Sequence, residues 1–502
     1  MSTHRPTPRR GGILLHPTSL PGNHGIGDLG ERAWRFVDWL STTGLRAWQV
    51  LPLVPPGAGD SPYSSWSAFA GNPWLVDLVD LHQQGLLPAS ALEAPAAVAR
   101  GVDRVDFAAV RAFKGPRLAA AADALRKAPG HALAPSLAAF RAREAWLAET
   151  ALFAALKMRG GDHPWWEWPA PLRDRDPAAL ANARAELADD IERVIIIQFF
   201  FDRQWRRLCA ELGRRGIELI GDLPIYVDAD SADVWAERHL FALDAAGRSV
   251  EVAGVPPDAF SETGQLWGNP LYRWDAMAAD GFRWWIARLR RALQLTDRVR
   301  IDHFRAFSAY WAVPGGAKDA RSGRWVRGPG RAVFDALKAA LGDPLPILAE
   351  DLGVIDDHVR ALLAASGLPG MKVLQFAFGE DAKNPYLPHH YRPESVVYTG
   401  THDNDTTLGW WRTVDERVRH HVRLYFAVDG HDVVWDFIRA AMASVSETAI
   451  VPMQDVLSLG SEARMNTPSV ASGNWGWRVR AAALRPELAE RLARLALLYG
   501  RN

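Results

Sequence analysis

Cysteine is almost absent from this chain: Cys209 is the only one among 502 residues. A lone thiol cannot close an internal disulfide, so the fold makes no demand on an oxidising compartment. Excess charge is absent as well, because 58 lysines and arginines balance 58 aspartates and glutamates. Without a basic excess, binding to nucleic acid or to an anionic lipid surface is disfavoured and a neutral substrate is favoured.

Long hydrophobic runs are also missing. The most apolar stretch, 194–201, is far too short to cross a bilayer. The basic amino terminus is followed by an aliphatic run of only Ile13 to Leu15, which is too little for a signal peptide. We therefore expect a cytoplasmic protein with no membrane partner. No glycine-rich phosphate-binding or dinucleotide-binding motif is present, which argues against a nucleotide cofactor.

Tryptophan, in contrast, is abundant, with 22 residues. Most indole rings pack in protein cores, but exposed ones also provide flat surfaces against which sugar rings stack. The abundance therefore raises carbohydrate as a substrate class.

Eight short apolar runs bounded by turn residues have the length of β-strands. They lie at 12–16, 47–51, 218–222, 299–302, 346–350, 371–376, 395–398 and 449–453. Most are continuously apolar, which is typical of strands buried on both faces of a parallel sheet. Helical patterns lie between several of them, at 31–42, 282–295, 332–341, 356–365 and 433–446. This alternation predicts an α/β fold, a closed (β/α)8 TIM barrel, with a doubly wound open sheet as the alternative.

Much of the chain must be inserted into this barrel, because a (β/α)8 barrel needs only about 250 residues. The largest insertion, 53–216, lies between the second and third strands and carries a helical tract in which 136–158 and 189–214 are the clearest helices. A second inserted region, 225–272, follows the third strand. We expect one catalytic domain, 1–502, with large and mainly helical insertions on its catalytic face.

Polar residues follow several of the predicted strands at their carboxyl ends, where barrel enzymes build their active sites. These residues are Asp222, Asp302, Glu350 and the pair His402–Asp403. Arg300 and Asp302 project from the same face of their strand, so the guanidinium can hold the carboxylate ionised and oriented, as a nucleophile requires. A buried structural ion pair is the alternative for this motif taken alone.

Glu350 ends the strand after the one that carries Asp302. Neighbouring strands are about 4.8 Å apart, so the two carboxyls can approach the ~5–5.5 Å typical of retaining glycoside chemistry, one as nucleophile and the other as acid/base. The charge of Asp302 is expected to raise the pKa of Glu350 and keep it protonated for its first task. Asp351 points to the opposite side and is expected to be structural or a support for the site.

A third cluster, 398–405, places His402 next to a carboxylate. A donor beside a carboxylate can grip two adjacent sugar hydroxyls, and this interaction strengthens as the ring approaches an oxocarbenium ion. Metal binding is the alternative for so many oxygens, but the glycine and the terminal glutamate of a calcium loop are missing. No metal is therefore expected.

Two loops, 59–73 and 254–270, combine polar and aromatic residues without a regular period, as expected of a polymer-binding surface. In the second loop, paired prolines stiffen one end and Trp267 offers a stacking face. Ordinary packed surface loops are the alternative for either stretch alone.

Together these stretches resemble the 4-α-glucanotransferases called amylomaltases or disproportionating enzymes, glycoside hydrolase family 77. The matching blocks run from 16–22 to 473–478 and include, in order, Arg-Ile-Asp-His-Phe-Arg, Ala-Glu-Asp-Leu-Gly and Gly-Thr-His-Asp-Asn-Asp. The resemblance implies an enzyme that acts on α-1,4-glucans such as maltooligosaccharides, amylose and glycogen, with glucose as a further acceptor. It also implies that no metal or organic cofactor is used.

The resemblance further implies roles for ten residues. Asp302 is implied as nucleophile, Glu350 as general acid/base and Asp403 as transition-state stabiliser. The residues implied to hold the donor sugar are Tyr63, Asp222, Arg300, His303 and His402, and those implied on the acceptor side are Gln265 and Trp267.

Six positions depart from the family pattern: Ala58, Ala259, Ala306, Ser308, Ala312 and Ser469, and the first two bear on glucan binding. Ala58 and Ala259 stand where aromatic residues are usual. A secondary glucan site near Ala58 is therefore in question, and stacking on the acceptor side near Ala259 is expected to be weaker.

Three functions are compatible with the residues alone. A glucanotransferase passes a glucosyl group from Asp302 to a second glucan, and an α-1,4-glucan hydrolase of the α-amylase type passes it to water. A glucan-binding scaffold needs no catalytic acids, so the presence of Asp302, Glu350 and Asp403 argues against it. The family resemblance favours transfer over hydrolysis.

Overall fold

The computed structural model describes residues 9–99, 103–161, 163–257 and 261–502. Within these residues the strands form two sheets, one of eight parallel strands and one of four antiparallel strands. In chain order the strands are β1 (Arg10–Leu14), β2 (Ala47–Gln49), β3 (Glu218–Leu223), β4 (Glu251–Val255), β5 (Gln265–Pro270), β6 (Arg298–Ile301), β7 (Ala309–Pro314), β8 (Arg324–Arg327), β9 (Ile347–Ala349), β10 (Gly370–Val373), β11 (Ser395–Tyr398) and β12 (Thr448–Pro452).

The eight-stranded sheet curves into a barrel. Its strand order is β10, β11, β12, β1, β2, β3, β6, β9, and neighbouring strands run parallel. The two outer strands meet, because the N–H of Ala349 in β9 donates to the carbonyl of Pro369, just before β10, at 2.9 Å. At the same seam the Met371 N–H donates to a carboxylate oxygen of Asp351 at 2.6 Å, which gives Asp351 a structural role. The predicted (β/α)8 barrel is confirmed and the open sheet is excluded.

The barrel strands are apolar because both of their faces are covered. Strands β2, β9, β11 and β12 are buried at every residue, as expected when helices lie outside a parallel sheet and side chains fill its interior. The eight predicted runs correspond to the eight barrel strands, with ends that differ by at most three residues. The largest difference follows β10, where Leu374–Phe376 forms a 3-10 turn although its first and last residues are apolar.

The helices connect the barrel strands and build much of the inserted sequence. They are α1 (Glu31–Thr42), α2 (Leu78–Gln83), α3 (Ala96–Ala99), α4 (Phe107–Arg126), α5 (Ala134–Arg143), α6 (Leu147–Gly160), α7 (Ala170–Arg173), α8 (Pro177–Glu186), α9 (Ala188–Arg214), α10 (Ala232–Ala236), α11 (Trp274–Ala279), α12 (Arg283–Leu295), α13 (Arg331–Leu341), α14 (Asp357–Ser366), α15 (Thr407–Thr413), α16 (Glu416–Phe426), α17 (Val433–Ala443), α18 (Met453–Val456) and α19 (Pro486–Leu498). The five predicted connecting helices correspond to α1, α12, α13, α14 and α17. In the described part of the chain, no helix has the length and apolarity needed to span a membrane.

The prediction of one helix over 136–158 is wrong, because α5 and α6 are separated at Glu144. The carboxylate of this buried residue accepts hydrogen bonds from Nε of Arg143 and from Nε1 of Trp146, each at 2.8 Å. The backbone at Glu144 is not helical, with φ −103° and ψ 88°. The break therefore places a buried acid against donors from both sides of it.

The four-stranded sheet has the order β5, β4, β7, β8. Strands β4 and β5 belong to the region 225–272, whereas β7 and β8 follow β6. Gln265 and Trp267 are two residues apart on β5 and so share one face of that strand. The Trp267 ring contacts the His303 ring, with 4.8 Å between their centroids. The second sheet thereby brings β5 to the carboxyl ends of the barrel strands.

Candidate active site

Arg300 lies at the centre of the site, with only 4% of its side chain exposed. From β6 its Nη1 donates to both carboxylate oxygens of Asp222 on β3, at 2.8 and 2.7 Å. Its Nη2 donates to Oδ1 of Asp302 at 2.8 Å, which confirms the contact predicted from the sequence. One guanidinium therefore orients two carboxylates. Burial raises the pKa of Asp222 above its usual range, and the charge of Arg300 opposes that rise.

Tyr63 connects two sides of the site. Its hydroxyl donates to Oδ2 of Asp222 at 2.7 Å, and its ring stacks on the His402 ring with 5.1 Å between centroids and 14° between planes. Burial, followed by the charge of Asp222, raises the pKa of Tyr63 well above its usual range. The phenol therefore stays protonated and remains a hydrogen-bond donor.

Asp302 and Glu350 directly follow residues that pair β6 with β9. The carboxyl group of Glu350 is held by two backbone donors: Oε2 accepts from the His303 N–H at 2.6 Å and Oε1 accepts from the Leu352 N–H at 2.9 Å. The two acids thus lie on adjacent strands, as predicted, and the backbone after each strand contributes to holding Glu350.

The pKa of Glu350 is raised from 4.5 to about 8. Burial is the main cause and the charge of Asp302 is the second, while Arg300 and the two backbone donors act in the opposite direction. The rise predicted from the sequence is confirmed, but burial contributes more than the charge of Asp302. At neutral pH the geometry therefore supplies a protonated acid beside a carboxylate that Arg300 holds.

His303 turns the chain sharply after Asp302. Its backbone is left-handed, with φ 49° and ψ 50°, a conformation uncommon for residues other than glycine. Burial lowers the pKa of its imidazole to about 4, so the ring is neutral near pH 7. The Trp267 ring meets it edge-on at 77°, and Nε1 of Trp267 donates to Oε1 of Gln265 at 3.1 Å. The β5 side chains therefore lie next to the turn that follows Asp302.

His402 and Asp403 follow β11, and Nε2 of His402 is 3.4 Å from Oδ1 of Asp403. The Asn466 side chain donates to the same oxygen at 2.7 Å, and its backbone N–H donates to the His402 carbonyl at 3.0 Å. Arg464 donates to the Asp403 carbonyl at 2.6 Å. Asp403 is thus fixed by the segment 464–466 while 42% of its side chain stays exposed to the open site.

The neighbouring oxygens of the 398–405 cluster are used within the protein. Oδ1 of Asn404 accepts from the backbone N–H and the hydroxyl of Thr401, at 2.9 and 2.8 Å. Oδ2 of Asp405 accepts from the Ser461 hydroxyl at 2.7 Å. In the ranges that the structure describes, no group of three or more His, Cys, Asp or Glu side chains is arranged to hold a metal ion.

The structure brings the predicted site residues together in two series of contacts that meet at β6. The first series runs through Asp302, Arg300, Asp222, Tyr63, His402 and Asp403. The second runs through Glu350, His303, Trp267 and Gln265. Of the two departures that bear on glucan binding, Ala58 is exposed, and Ala259 lies outside the described residues.

Sequence reasoning missed three residues that contact the site: Arg464, Asn466 and Trp475. The Trp475 ring lies 5.6 Å from Tyr63 and 6.0 Å from His402, between centroids. Trp475 belongs to the block 473–478 that resembles the family, so its position in that block was an available clue. Asn466 gave none, because it follows no predicted strand and no motif.

Three comparisons agree with one another. The family model described as 4-alpha-glucanotransferase matches residues 15–484. A 4-alpha-glucanotransferase of Thermus thermophilus is 50% identical over 498 residues, covering 97% of this chain and 98% of its own. A chloroplastic/amyloplastic 4-alpha-glucanotransferase of Arabidopsis thaliana is 47% identical over 500 residues, covering 98% of this chain and 86% of its own. The solved structure of an amylomaltase from Streptococcus agalactiae in complex with acarbose is 38% identical, has a TM-score of 0.95, and covers 98% of this chain and 100% of its own.

Proposed function

The chain belongs to the 4-alpha-glucanotransferases of glycoside hydrolase family 77, and we propose that it moves α-1,4-glucan segments between glucans by a retaining double displacement. The observation that carries the mechanism is the pairing of a half-buried acid, Glu350, whose pKa is raised to about 8, with a carboxylate, Asp302, that Arg300 orients at 2.8 Å. The two groups on adjacent strands supply the acid and the nucleophile that retention of configuration requires.

In the first displacement, an Asp302 carboxylate oxygen attacks the anomeric carbon of the donor. The bond from that carbon to the leaving glucan oxygen breaks, and Glu350 gives its proton to this oxygen. The leaving glucan departs neutral, and a covalent glucosyl ester remains on Asp302. Arg300 orients the Asp302 carboxylate through a hydrogen-bonded ion pair, which leaves the carboxylate able to act as a nucleophile.

In the second displacement, the 4-hydroxyl of an acceptor glucan attacks the same carbon. The ester bond to Asp302 breaks, and Glu350, now ionised, takes the proton of the hydroxyl. Two inversions restore the α configuration. Glu350 thereby returns to its protonated form and Asp302 to its carboxylate, so the site is ready for another turnover.

Asp403 and His402 are proposed to grip two adjacent hydroxyls of the donor sugar, with Asp403 stabilising the oxocarbenium-like transition state. The contacts of Asn466 and Arg464 support this role, since they fix Asp403 and leave its side chain partly exposed. Four further residues are proposed to hold the same sugar: Tyr63, Asp222, Arg300 and His303. Gln265 and Trp267 are proposed for the acceptor side.

We also propose that 1–502 is one catalytic domain, in which the insertions 53–216 and 225–272 cover the site. Tyr63 comes from the first insertion and Trp267 from the second, and each contacts a residue at the barrel rim. Such covering positions the acceptor and disadvantages water, which transfer requires if it is to exceed hydrolysis. Proposed substrates are maltooligosaccharides, amylose and glycogen, with glucose as a further acceptor, and the proposed location is cytoplasmic.

The test is the product profile from maltotriose alone, separated by chain length. We expect a ladder of longer maltooligosaccharides together with glucose or maltose, and no turnover by a folded Asp302→Ala variant. Asp357→Asn, at an exposed position in α14, serves as the matched control and is expected to behave as wild type. Only shorter sugars, with reducing ends rising steadily, would identify a hydrolase and overturn the proposal. Retention of both wild type and Asp302→Ala on amylose without turnover would identify a binding protein instead.

A further inference from the structure

The connection between β9 and α14 begins with Glu350 and ends with Asp356, the N-cap residue of α14. Its second half is largely exposed, although Ile355 packs against the hydrophobic core. Gly353 has a positive φ of 82°, and Val354 is 69% exposed. The fold therefore leaves a largely exposed segment directly beyond the acid that the proposed mechanism uses.

The Arg305 side chain bonds to this segment. Arg305 lies three residues after Asp302, in the 3-10 turn Phe304–Phe307, and only 8% of its side chain is exposed. Its Nη1 donates to the Val354 carbonyl, and its Nη2 donates to Oδ2 of Asp356 at 3.0 Å. One guanidinium thus ties the chain after Asp302 to the chain after Glu350.

The guanidinium is held in place from a third direction. It lies over the Trp325 ring at 4.0 Å from the ring centroid, and Trp325 belongs to β8 of the second sheet. An aromatic face and two acceptors fix the plane of the guanidinium, a geometry that a lysine ammonium cannot reproduce. Arg305 therefore joins three elements: the turn after β6, the connection after β9, and β8.

The fixed segment supplies one of the two donors to Glu350. The Leu352 N–H donates to Oε1 of Glu350 at 2.9 Å, and Leu352 lies only two residues before Val354. The other donor, His303, lies two residues before Arg305. Arg305 therefore restrains both stretches of backbone that hold the Glu350 carboxyl group.

We infer that Arg305 is a positioning residue for Glu350, fixing the 350–356 connection so that the acid faces the glycosidic oxygen. The inference rests on the proposed role of Glu350 as general acid/base. The charged groups that act on Glu350 are Asp302 and Arg300, and neither contacts Arg305 in the described hydrogen bonds and ion pairs. Loss of Arg305 should therefore act through geometry and through the Leu352 donor.

The test compares Arg305→Met, Arg305→Lys and the control Arg360→Met in the full-length protein. Arg360 is an exposed arginine of α14 with a single ion pair to Asp357, so its loss is expected to leave activity unchanged. For Arg305→Met we expect kcat on maltotriose to fall about 10–100-fold, the range that follows when a catalytic group is displaced by about 1 Å. KM should change less than about threefold, since Arg305 is not placed against substrate. Arg305→Lys should fall between wild type and Arg305→Met.

The pH profile separates positioning from a general loss of structure. The Leu352 N–H stabilises the ionised form of Glu350, so its displacement should move the basic limb of kcat/KM to higher pH. Unfolding of part of the protein would lower the amount of active enzyme but would leave that limb in place. A thermal unfolding curve for each variant shows which case applies.

A second variant keeps the inference testable if Arg305→Met fails to fold. Asp356→Ser retains a preferred N-cap residue for α14, but its side chain is too short to reach Nη2 of Arg305. We expect a smaller fall in kcat with the same direction of pH shift. Unchanged kcat and pH profile in the folded variants would overturn the inference, as would a loss confined to KM. Glu350→Gln is measured in parallel: if it retains wild-type turnover, the proposed function of Glu350 fails whatever Arg305 does.

Discussion

Replacing Glu350 with glutamine should stabilise the folded protein at pH 8 while abolishing transfer. Glutamine has nearly the same shape and still accepts a hydrogen bond, but it cannot ionise. In the wild type, burial and the charge of Asp302 raise the pKa of Glu350 from 4.5 to about 8. The unfolded chain exposes this side chain to water, where its pKa returns to the ordinary value.

The sign of the effect follows from counting protons. Between pH 4.5 and about 8, Glu350 is protonated in the folded protein and ionised in the unfolded chain. The folded state thus binds more protons, so the free energy of unfolding falls as the pH rises through this window and becomes level above it. The glutamine variant lacks this contribution, so its stability relative to wild type should increase across the same window.

The magnitude follows from the width of the window. Since each pKa unit corresponds to about 1.4 kcal/mol, the interval amounts to roughly 5 kcal/mol. Solvent reaches the half-buried Glu350 side chain and screens its charge, which reduces the expected gain to ~2–4 kcal/mol. At pH 5 the gain should be below about 1 kcal/mol, because the ionised form of Glu350 in the unfolded chain then exceeds the protonated form by only about threefold.

The assay is urea unfolding of wild type and Glu350→Gln at several pH values from 5 to 9, with Glu490→Gln as the control at an exposed position of α19. The control should show the same pH dependence as wild type. In parallel, kcat/KM of the wild type should fall as the pH rises above about 8, because the proposed first displacement needs protonated Glu350. A gain in stability that is equal at pH 5 and pH 8 would refute the reasoning, since it would mean that Glu350 ionises alike in both states.

Two further predictions concern residues away from Glu350. Asn466→Leu removes the 2.7 Å donor to Asp403. A hydrogen bond to a charged group is worth about 1.5–3 kcal/mol, so kcat should fall roughly 10–100-fold. An unchanged kcat with a raised KM would contradict this role. Arg501→Met removes a fully buried guanidinium that donates to several backbone carbonyls, among them those of Met442 and Ser444. The free energy of unfolding should fall by about 3–5 kcal/mol, while the kcat of the folded enzyme stays unchanged. The control Arg494→Met, at an exposed position, should leave both quantities as in wild type. Equal stability of the two variants would refute the role given to Arg501.

The barrel and its acids could be predicted because the relevant patterns are local. A strand buried on both faces must be apolar along its length, and a polar residue directly after it marks the rim. Asp302 and Glu350 were therefore identified from their own segments. The break between α5 and α6 was not, because the helix ends where Glu144 becomes buried against Arg143 and Trp146. The sequence pattern there remains helical.

The direction of the pKa shift of Glu350 was predicted correctly, but its main cause was not. The sequence places Asp302 beside Glu350 and so predicts a raised pKa, but burial contributes more than this charge. Burial depends on everything that surrounds the carboxyl group, including the connection after β9 and the turn at His303, whose left-handed backbone gives no sequence pattern of its own. The direction of the pKa shift could be predicted once two strands were taken as neighbours, whereas its main cause could be identified only from the packed site.

By itself the sequence determined the class of fold, the family and the residues proposed to carry the chemistry, since short-range periodicity and motif order are written along the chain. Only the tertiary structure decided which groups hold those residues in place. Arg305 and Asn466 act across long separations, on Asp356 and on Asp403. Such contacts form because the carboxyl ends of parallel strands converge at one rim, where segments distant in sequence become neighbours.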